Sequence, residues 1–255
     1  MSQSITRIGI DLAKHVFQMC AANAQGQVLY NRKVSRQRLP ELIINLPPCE
    51  IVMEACASAH YWSRVFSRMG HEVKLIHPAY VRPYVKTHKN DAADAAALCE
   101  AAARPQMHFV QPKTVEQLDI QALHRIRERL VTRRTGLCNQ IRGLLGEYGL
   151  VIPQGVQHIR NRLPLIIEDG DNELSVMARR SFHQLYDELV DLDGRIAALK
   201  KRLEALCHSI PRCQRLLTVP GVGPMVATAV YATMGAPQSY RNGRQFSAFL
   251  GLVPR

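Results

Sequence analysis

Apolar residues recur at alternating three- and four-residue steps over a long segment in the second half of the chain. The series is Phe182, Leu185, Leu189, Leu192, Ile196, Leu199, Leu203 and Leu206. Such spacing is a heptad seam, which an α-helix presents as one continuous stripe. The seam predicts a long helix that packs either on another helix of the same chain or on another subunit. A bundle core helix and a true coiled coil both fit the pattern.

A second long helix is predicted over residues 115–144, where apolar residues keep helical spacing. Between the two helices, residues 149–170 contain Pro153, Gly155 and Pro164, and we predict an irregular link there. Near the end, Met225–Met234 reads as an apolar helix. The second half of the chain is therefore predicted to be mostly α-helical.

The first half follows a different pattern, with short β-branched segments. Strands are predicted over residues 5–11, 15–22, 28–34, 50–54 and 72–76, and helices over 36–46, 59–69 and 92–103. The first three strands form a meander, after which strands and helices alternate. Ile51, Val52 and Met53 are apolar in succession, which indicates burial on both faces of a sheet. The predicted class is α/β, a mixed sheet followed by a helical region.

Composition limits the function. The chain of 255 residues carries a net charge of +12, which favours a polyanionic partner, nucleic acid before membrane. Seven dispersed cysteines form no Cys-x-x-Cys pair, so neither a disulfide framework nor a zinc site is expected. Because no signal peptide or membrane-length apolar run occurs, we expect a cytoplasmic protein without a membrane partner.

Four acids stand where a site is expected. Asp11 and Glu54 each end a predicted strand, and the carboxyl ends of neighbouring parallel strands meet at one edge of a sheet. Asp91 and Asp94 open the alanine-rich helix, one turn apart on one face. Acids at a helix start can also simply complement the helix dipole. If all four converge, Mg²⁺ is the expected counter-ion, and two ions could clamp a phosphodiester.

The motifs around these acids resemble those of a known family. Ile8-Gly9-Ile10-Asp11-Leu12-Ala13-Lys14, Met53-Glu54-Ala55-Cys56 and Lys89-Asn90-Asp91-Ala92-Ala93-Asp94-Ala95 are similar to successive motifs of the DEDD transposases, the insertion sequence 110 family and its 1111-type branch. Residues 144–154, 219–224 and 249–255 continue the resemblance, which covers essentially the whole chain.

The resemblance implies an N-terminal RuvC-like (RNase H-type) domain over residues 1–110, a helical coiled-coil region over 111–210 and the start of a C-terminal transposase domain over 211–255. It further implies that Asp11, Glu54, Asp91 and Asp94 are the catalytic, metal-binding residues of a transposase or recombinase. The implied partners are DNA and a structured non-coding guide RNA. A homo-oligomer, dimer or tetramer, is also expected.

One departure from the family pattern concerns the end of the chain. Family members carry a nucleophilic serine just past the Leu-Val-Pro-Arg segment, and this chain stops at Arg255, before it. We therefore expect nucleic-acid and metal binding without complete recombination by these 255 residues alone.

Two further features are expected to contact nucleic acid. The glycines of the Pro220-Gly221-Val222-Gly223 turn would let backbone N–H groups approach a phosphate, as in helix-hairpin-helix motifs. A plain tight turn between packed helices explains them equally. Arginines decorate the 115–144 helix and either contact phosphates or form a solvated face; these are Arg125, Arg127, Arg129, Arg133, Arg134 and Arg142.

Three alternatives remain at this point. Gly9-Ile10-Asp11 after a strand also begins actin-like sugar kinases and ATPases, but the second glycine-rich phosphate loop of that class is missing. A stand-alone junction-resolving nuclease would use the same four acids without the helical half. A non-catalytic DNA- or RNA-binding remnant would keep the fold and lose the chemistry.

Overall fold

The short strands near the start of the chain form one mixed sheet in the computed structural model, which describes residues 4–85, 91–235 and 240–252. The strands are β1 (Arg7–Asp11), β2 (Val16–Ala22), β3 (Val28–Ser35), β4 (Glu50–Glu54), β5 (Glu72–Ile76) and β6 (Phe109–Val110). They lie in the order β3-β2-β1-β4-β5-β6. β1, β2 and β3 form an antiparallel meander, β4 and β5 extend it in parallel from β1, and β6 is antiparallel to β5.

Helices cover both faces of this sheet. They are α1 (Leu39–Ile44), α2 (Ala59–Arg68), α3 (Pro78–Val81) and α4 (Asp91–Ala102), with a 3-10 turn at Arg82–Tyr84. α1 and α2 pack on the face that carries Ile8, Ile10 and Met53. α4 packs on the opposite face, where Val52 and Cys20 are buried. Because strand residues alternate between faces, every second residue of β1 and β4 points toward α4.

The helical half contains two long helices that pack along each other. They are α5 (Val115–Gly146) and α7 (Val176–Ser209), followed by α8 (Pro211–Leu217) and α9 (Pro224–Met234). Leu189 and Leu192 of the seam are buried with Leu137 and Ile141 of α5 in one core. The seam therefore packs on the 115–144 helix of the same chain, which is one of the two arrangements that the sequence allowed.

The predicted irregular link over residues 149–170 is wrong for most of its length. α6 (Val156–Glu168) occupies it, with Pro164 inside the helix. Proline removes one backbone hydrogen bond and is unfavourable in a helix interior. Ile159 and Leu163 are completely buried against the α5–α7 core, and this burial offsets the loss.

Contacts divide the chain into two compact units. One consists of the described residues within Met1–Thr114 and Gly235–Arg255, and the other of Val115–Met234. The first unit contains the sheet and the short helix α10 (Gly243–Phe249), and the second contains α5 to α9. The division into three domains at residues 110 and 210 stays a prediction. Across the described ranges, no helix combines the length and apolar character needed to cross a membrane.

Candidate active site

Asp11 and Glu54 leave two neighbouring strands at the same edge of the sheet. In the parallel ladder of β1 and β4, Ile10 pairs with Met53, and the two acids are the next residues along each strand. Both acids also lie on the face of the sheet that α4 covers. Asp11 stands two residues after Gly9, and Glu54 stands two residues after Val52; Gly9 and Val52 both face α4, and strand residues two apart share a face. The sheet therefore places these carboxylates side by side under the start of α4.

Gly9 allows α4 to lie directly on β1. A Cβ atom at this position would collide with the Ala95 backbone oxygen and would stand 2.9 Å from Cys99 Sγ and 3.2 Å from Leu98 Cβ. A glycine inside a strand commonly marks such a close approach. Ala95 directly follows Asp94, so the contact at Gly9 brings the first turn of α4 close to the end of β1.

The electrostatics of Asp11 show that the four acids share one neighbourhood. The pKa of Asp11 is raised from 3.8 to about 6, first by burial and then by the negative charges of Asp94, Asp91 and Glu54, in that order of size. A hydrogen bond from the Leu12 backbone N–H lowers the pKa in part. Mutual repulsion of this kind is relieved when a cation lies between the carboxylates. The edge is therefore electrostatically suited to a divalent ion.

The start of α4 has two contacts from β3, and one hydrogen bond from β2 supports the first of them; the sequence analysis singled out none of these. Asn31 Nδ2 donates a hydrogen bond to the Ala92 backbone oxygen at 2.8 Å. Gln18 Nε2 donates to Asn31 Oδ1 at 2.5 Å. Lys33 Nζ lies 4.0 Å from Asp91 Oδ2, and both side chains are largely exposed. Strand pairing alone brings these residues to α4, so no local sequence signal identifies them.

The thiol of Cys56 borders the acidic edge as well. Its pKa is raised by burial and then by the charges of Glu54 and Asp11. Ser58, two residues later, has a φ of 70° and is the one non-glycine residue with a positive φ among the described residues. Strained backbone of this kind often occurs beside functional sites. The backbone of the turn after β4 is therefore strained at Ser58, four residues after Glu54.

The acids form an open group at the edge of the sheet. Within the described parts of the chain, no three Asp, Glu, His or Cys side chains are close enough together to form a ready metal-binding group. The donor set nevertheless fits hard divalent cations, which prefer carboxylate oxygens. Asp91, with 67% of its side chain exposed, stands at the rim.

The six predicted arginines of α5 have different environments. Arg125 and Arg129 are exposed. Arg133 Nη2 and Arg134 Nη1 bind Glu188 and Asp193 of α7, each at 2.8 Å. The other two, Arg127 and Arg142, are half-buried, and Arg142 donates to Asn139 Oδ1 at 2.5 Å. Contact with nucleic acid by these six arginines stays a prediction.

The Pro-Gly-Val-Gly segment forms the turn between α8 and α9. Gly221 has a φ of 84°, which favours glycine for conformational reasons. Gly223 has no positive φ, and a Cβ atom added there would meet no atom within 4 Å. Steric requirements inside the chain therefore explain Gly221 and leave Gly223 unexplained, which is compatible with a partner approaching its backbone.

The strand order and the helix packed on β1 define a RuvC-like fold, as the motif resemblance implied. A transposase model of the DEDD, IS110 type matches residues 8–150, and one described as "Transposase IS116/IS110/IS902 family" matches residues 213–255. The chain belongs to this family of DEDD transposases.

Curated relatives agree along nearly the whole chain. The probable family 20 transposase of Pseudomonas aeruginosa is 45% identical, over 99% of this chain and 75% of that protein. The transposase for insertion sequence element IS1111A of Coxiella burnetii is also 45% identical, over 99% of this chain and 70% of its own length. The transposase for insertion sequence element IS1328 of Yersinia enterocolitica is 39% identical, over 99% and 75% respectively.

Proposed function

We propose that Asp11, Glu54, Asp91 and Asp94 of this chain bind divalent metal ions and form the site with which a transposase cleaves and transfers DNA strands of an insertion sequence. The observation that carries the proposal is the parallel pairing of β1 with β4, which ends Asp11 and Glu54 on adjacent strands, together with the charges of all three other acids acting on Asp11 and raising its pKa. Asp94 is 83 positions from Asp11 in sequence, and its charge still acts on the Asp11 carboxyl group. A gathering of like charges in a strongly basic protein is unfavourable without a cationic ligand.

The residues divide the work between sheet and helix. Asp11 and Glu54 are fixed at the ends of hydrogen-bonded strands and would hold the metal from the sheet side. Asp91 and Asp94 would close the site from α4. Two Mg²⁺ ions held by these four residues would supply charge stabilisation to a phosphodiester during cleavage.

Basic and glycine-containing surfaces of the helical unit are proposed to bind the nucleic-acid backbone. Arg125 and Arg129 are exposed and point their charge to solvent, while Arg133 and Arg134 also hold α7. Gly223 permits close approach to the backbone N–H groups of its turn. We assign phosphate binding first to the exposed arginines, because they require no break of an ion pair.

A structured guide RNA and a second copy of the chain, in a dimer or tetramer, complete the proposed assembly. Support for both comes from the family resemblance. If the guide is used, the chain purified with RNA encoded beside its own element should choose DNA by pairing with that RNA. Changing the guide segment should then change the DNA bound, measured by competition binding. Unchanged DNA choice would exclude RNA guidance.

The metal-dependent activity is tested with Asp11→Asn, Glu54→Gln and Asp94→Asn on DNA that carries the ends of the element. We expect Mg²⁺-dependent strand processing to fall at least a hundredfold in each variant, with DNA binding retained. Glu147→Gln, which changes an exposed acid of the helical unit, is the matched control. Full processing by Asp11→Asn would overturn the proposal. DNA binding without processing by any form, wild type included, would favour a non-catalytic binder.

A further inference from the structure

A series of amide side chains connects the sheet to the first turn of α4. Gln18 lies directly opposite Asp11 in the antiparallel pairing of β1 and β2. Its Nε2 donates to Asn31 Oδ1 at 2.5 Å, and Asn31 Nδ2 donates to the Ala92 backbone oxygen at 2.8 Å. Ala92 is the residue after Asp91. The two hydrogen bonds therefore link Gln18, the residue paired with Asp11, to the helix turn that carries Asp91 and Asp94.

The burial of Gln18 indicates that its amide serves this connection. Only 6% of the residue is exposed, and Oε1 is buried without a hydrogen-bond partner among the described residues. An unpaired buried acceptor is unfavourable, so an apolar side chain of similar size would suit the packing better. The donated bond to Asn31 is the contact that an apolar residue at position 18 would lose.

The bond from Asn31 contributes little to folding and much to alignment. Asn31 is exposed, so its bond to the Ala92 oxygen contributes no more to stability than one ordinary hydrogen bond. Within an α-helix the same oxygen accepts from the N–H four residues later, that of Ala96. A second donor that comes from a strand fixes this helix end relative to β3. Another tether of the turn, Lys33 to Asp91, is a long and exposed ion pair at 4.0 Å.

We propose that Gln18 and Asn31 are positioning residues that hold the first turn of α4, and with it Asp91 and Asp94, over the end of β1. Neither residue touches the reacting groups in this role. They act through the Ala92 carbonyl. The consequence for metal binding rests on the proposed function, whereas the alignment of the helix does not.

Hydrogen exchange of the full metal-free chain tests the alignment directly. The amides of Ala95 and Ala96 are the first that the described helix can protect by its own hydrogen bonds. Asn31→Ala should speed their exchange about fivefold to tenfold, the factor expected from one lost hydrogen bond. Gln18→Met should act in the same direction. The double variant should exceed the larger single effect only slightly, because the two bonds act in series.

Asn45→Ala is the matched control. Asn45 Nδ2 donates to the Glu41 backbone oxygen of α1 at 2.6 Å, the same type of bond in a helix outside the acidic edge. This variant should leave exchange at Ala95 and Ala96 unchanged. Wild-type exchange at both amides in Asn31→Ala would overturn the positioning role, whatever the metal results are.

Binding of Mn²⁺ alone, followed by electron paramagnetic resonance, tests the consequence. Partners that orient ligands typically change metal affinity by about 10–100-fold, so Asn31→Ala should raise half-saturation about tenfold. Asn45→Ala should not change it. If Asp11→Asn loses Mn²⁺ binding while Asn31→Ala keeps wild-type affinity, the positioning role is overturned. Equal binding by wild type and Asp11→Asn would instead overturn the metal site of the proposed function, and hydrogen exchange would still decide the role of Asn31.

Discussion

At the scale of single residues, the charge on Asp11 is the most informative property of the chain. Its pKa of about 6 reports burial and three acids that approach from two other segments. The raised pKa means that the folded protein holds the charged form of Asp11 less well than the unfolded chain does. Stability from this residue is therefore greatest below pH 4 and decreases as the pH rises toward 6.

Asp11→Asn should stabilise the metal-free protein at pH 7.5. The pKa shift corresponds to about 3 kcal/mol, which we reduce to about 1 kcal/mol because the side chain is partly exposed. That value is about 2–4 °C in Tm for a chain of this size. Calorimetry in EDTA should show that Asp11→Asn raises Tm at pH 7.5 and that this rise disappears near pH 4. Glu147→Gln should not raise Tm at either pH. A variant no more stable than wild type at pH 7.5 would contradict the repulsion among the acids.

Gly9→Ala should push α4 away from β1. The added methyl group meets the Ala95 backbone and the Cys99 thiol, and such overpacking destabilises proteins by about 1–3 kcal/mol. Gly136→Ala, in open space within α5, is the control and should stabilise by about 0.5–1 kcal/mol. Urea unfolding measures both. Equal stability of Gly9→Ala and wild type would show that α4 has room to move at this contact.

At the scale of elements, the long helices and the strands depend on different signals. The bounds of β4 and β5 match their predictions because short apolar runs between turn residues leave few alternatives. β6 has only two residues, Phe109 and Val110, and no periodicity can reveal so short a strand. α6 was missed because Pro164 and Gly155 indicate irregular structure locally, while burial of Ile159 and Leu163 depends on partners elsewhere.

The seam of α7 provides a test of the helical unit. Leu189 is completely buried against α5, so Leu189→Ala should lower the free energy of unfolding by about 2–5 kcal/mol. The next residue, Val190, is 45% exposed, and Val190→Ala should change the free energy of unfolding by no more than about 0.5 kcal/mol. Thermal unfolding followed by circular dichroism distinguishes the two. Similar small effects would place the seam outside the core.

At the scale of the whole molecule, a net charge of +12 coexists with a local group of acids. The positive surface attracts a polyanion at long range, and salt weakens that attraction. The acidic edge would repel the same polyanion unless cations bind there. Metal binding and DNA binding are therefore expected to support each other.

Arginines of α5 should separate into binding and structural groups. Combined Arg125→Ala and Arg129→Ala should reduce the slope of log affinity against log salt by about one for each arginine, without lowering Tm. Arg134→Ala leaves Asp193, of which 11% is exposed, with Arg160 as its remaining ion partner, and should destabilise the protein by about 1–3 kcal/mol. DNA binding by filter assay and thermal unfolding provide the readings. Affinity independent of salt would exclude phosphate contacts.

The sequence by itself determined the class of the fold and the order of its main elements, and it predicted the four acids as the candidate site, because periodicity, turn residues and motifs are local properties of the chain. Tertiary structure alone decided that Asp11 and Glu54 end side by side, that Gly9 receives α4, and that Gln18 and Asn31 reach its first turn. These relations join segments far apart in sequence. They arise from strand register and close packing, which no single segment contains.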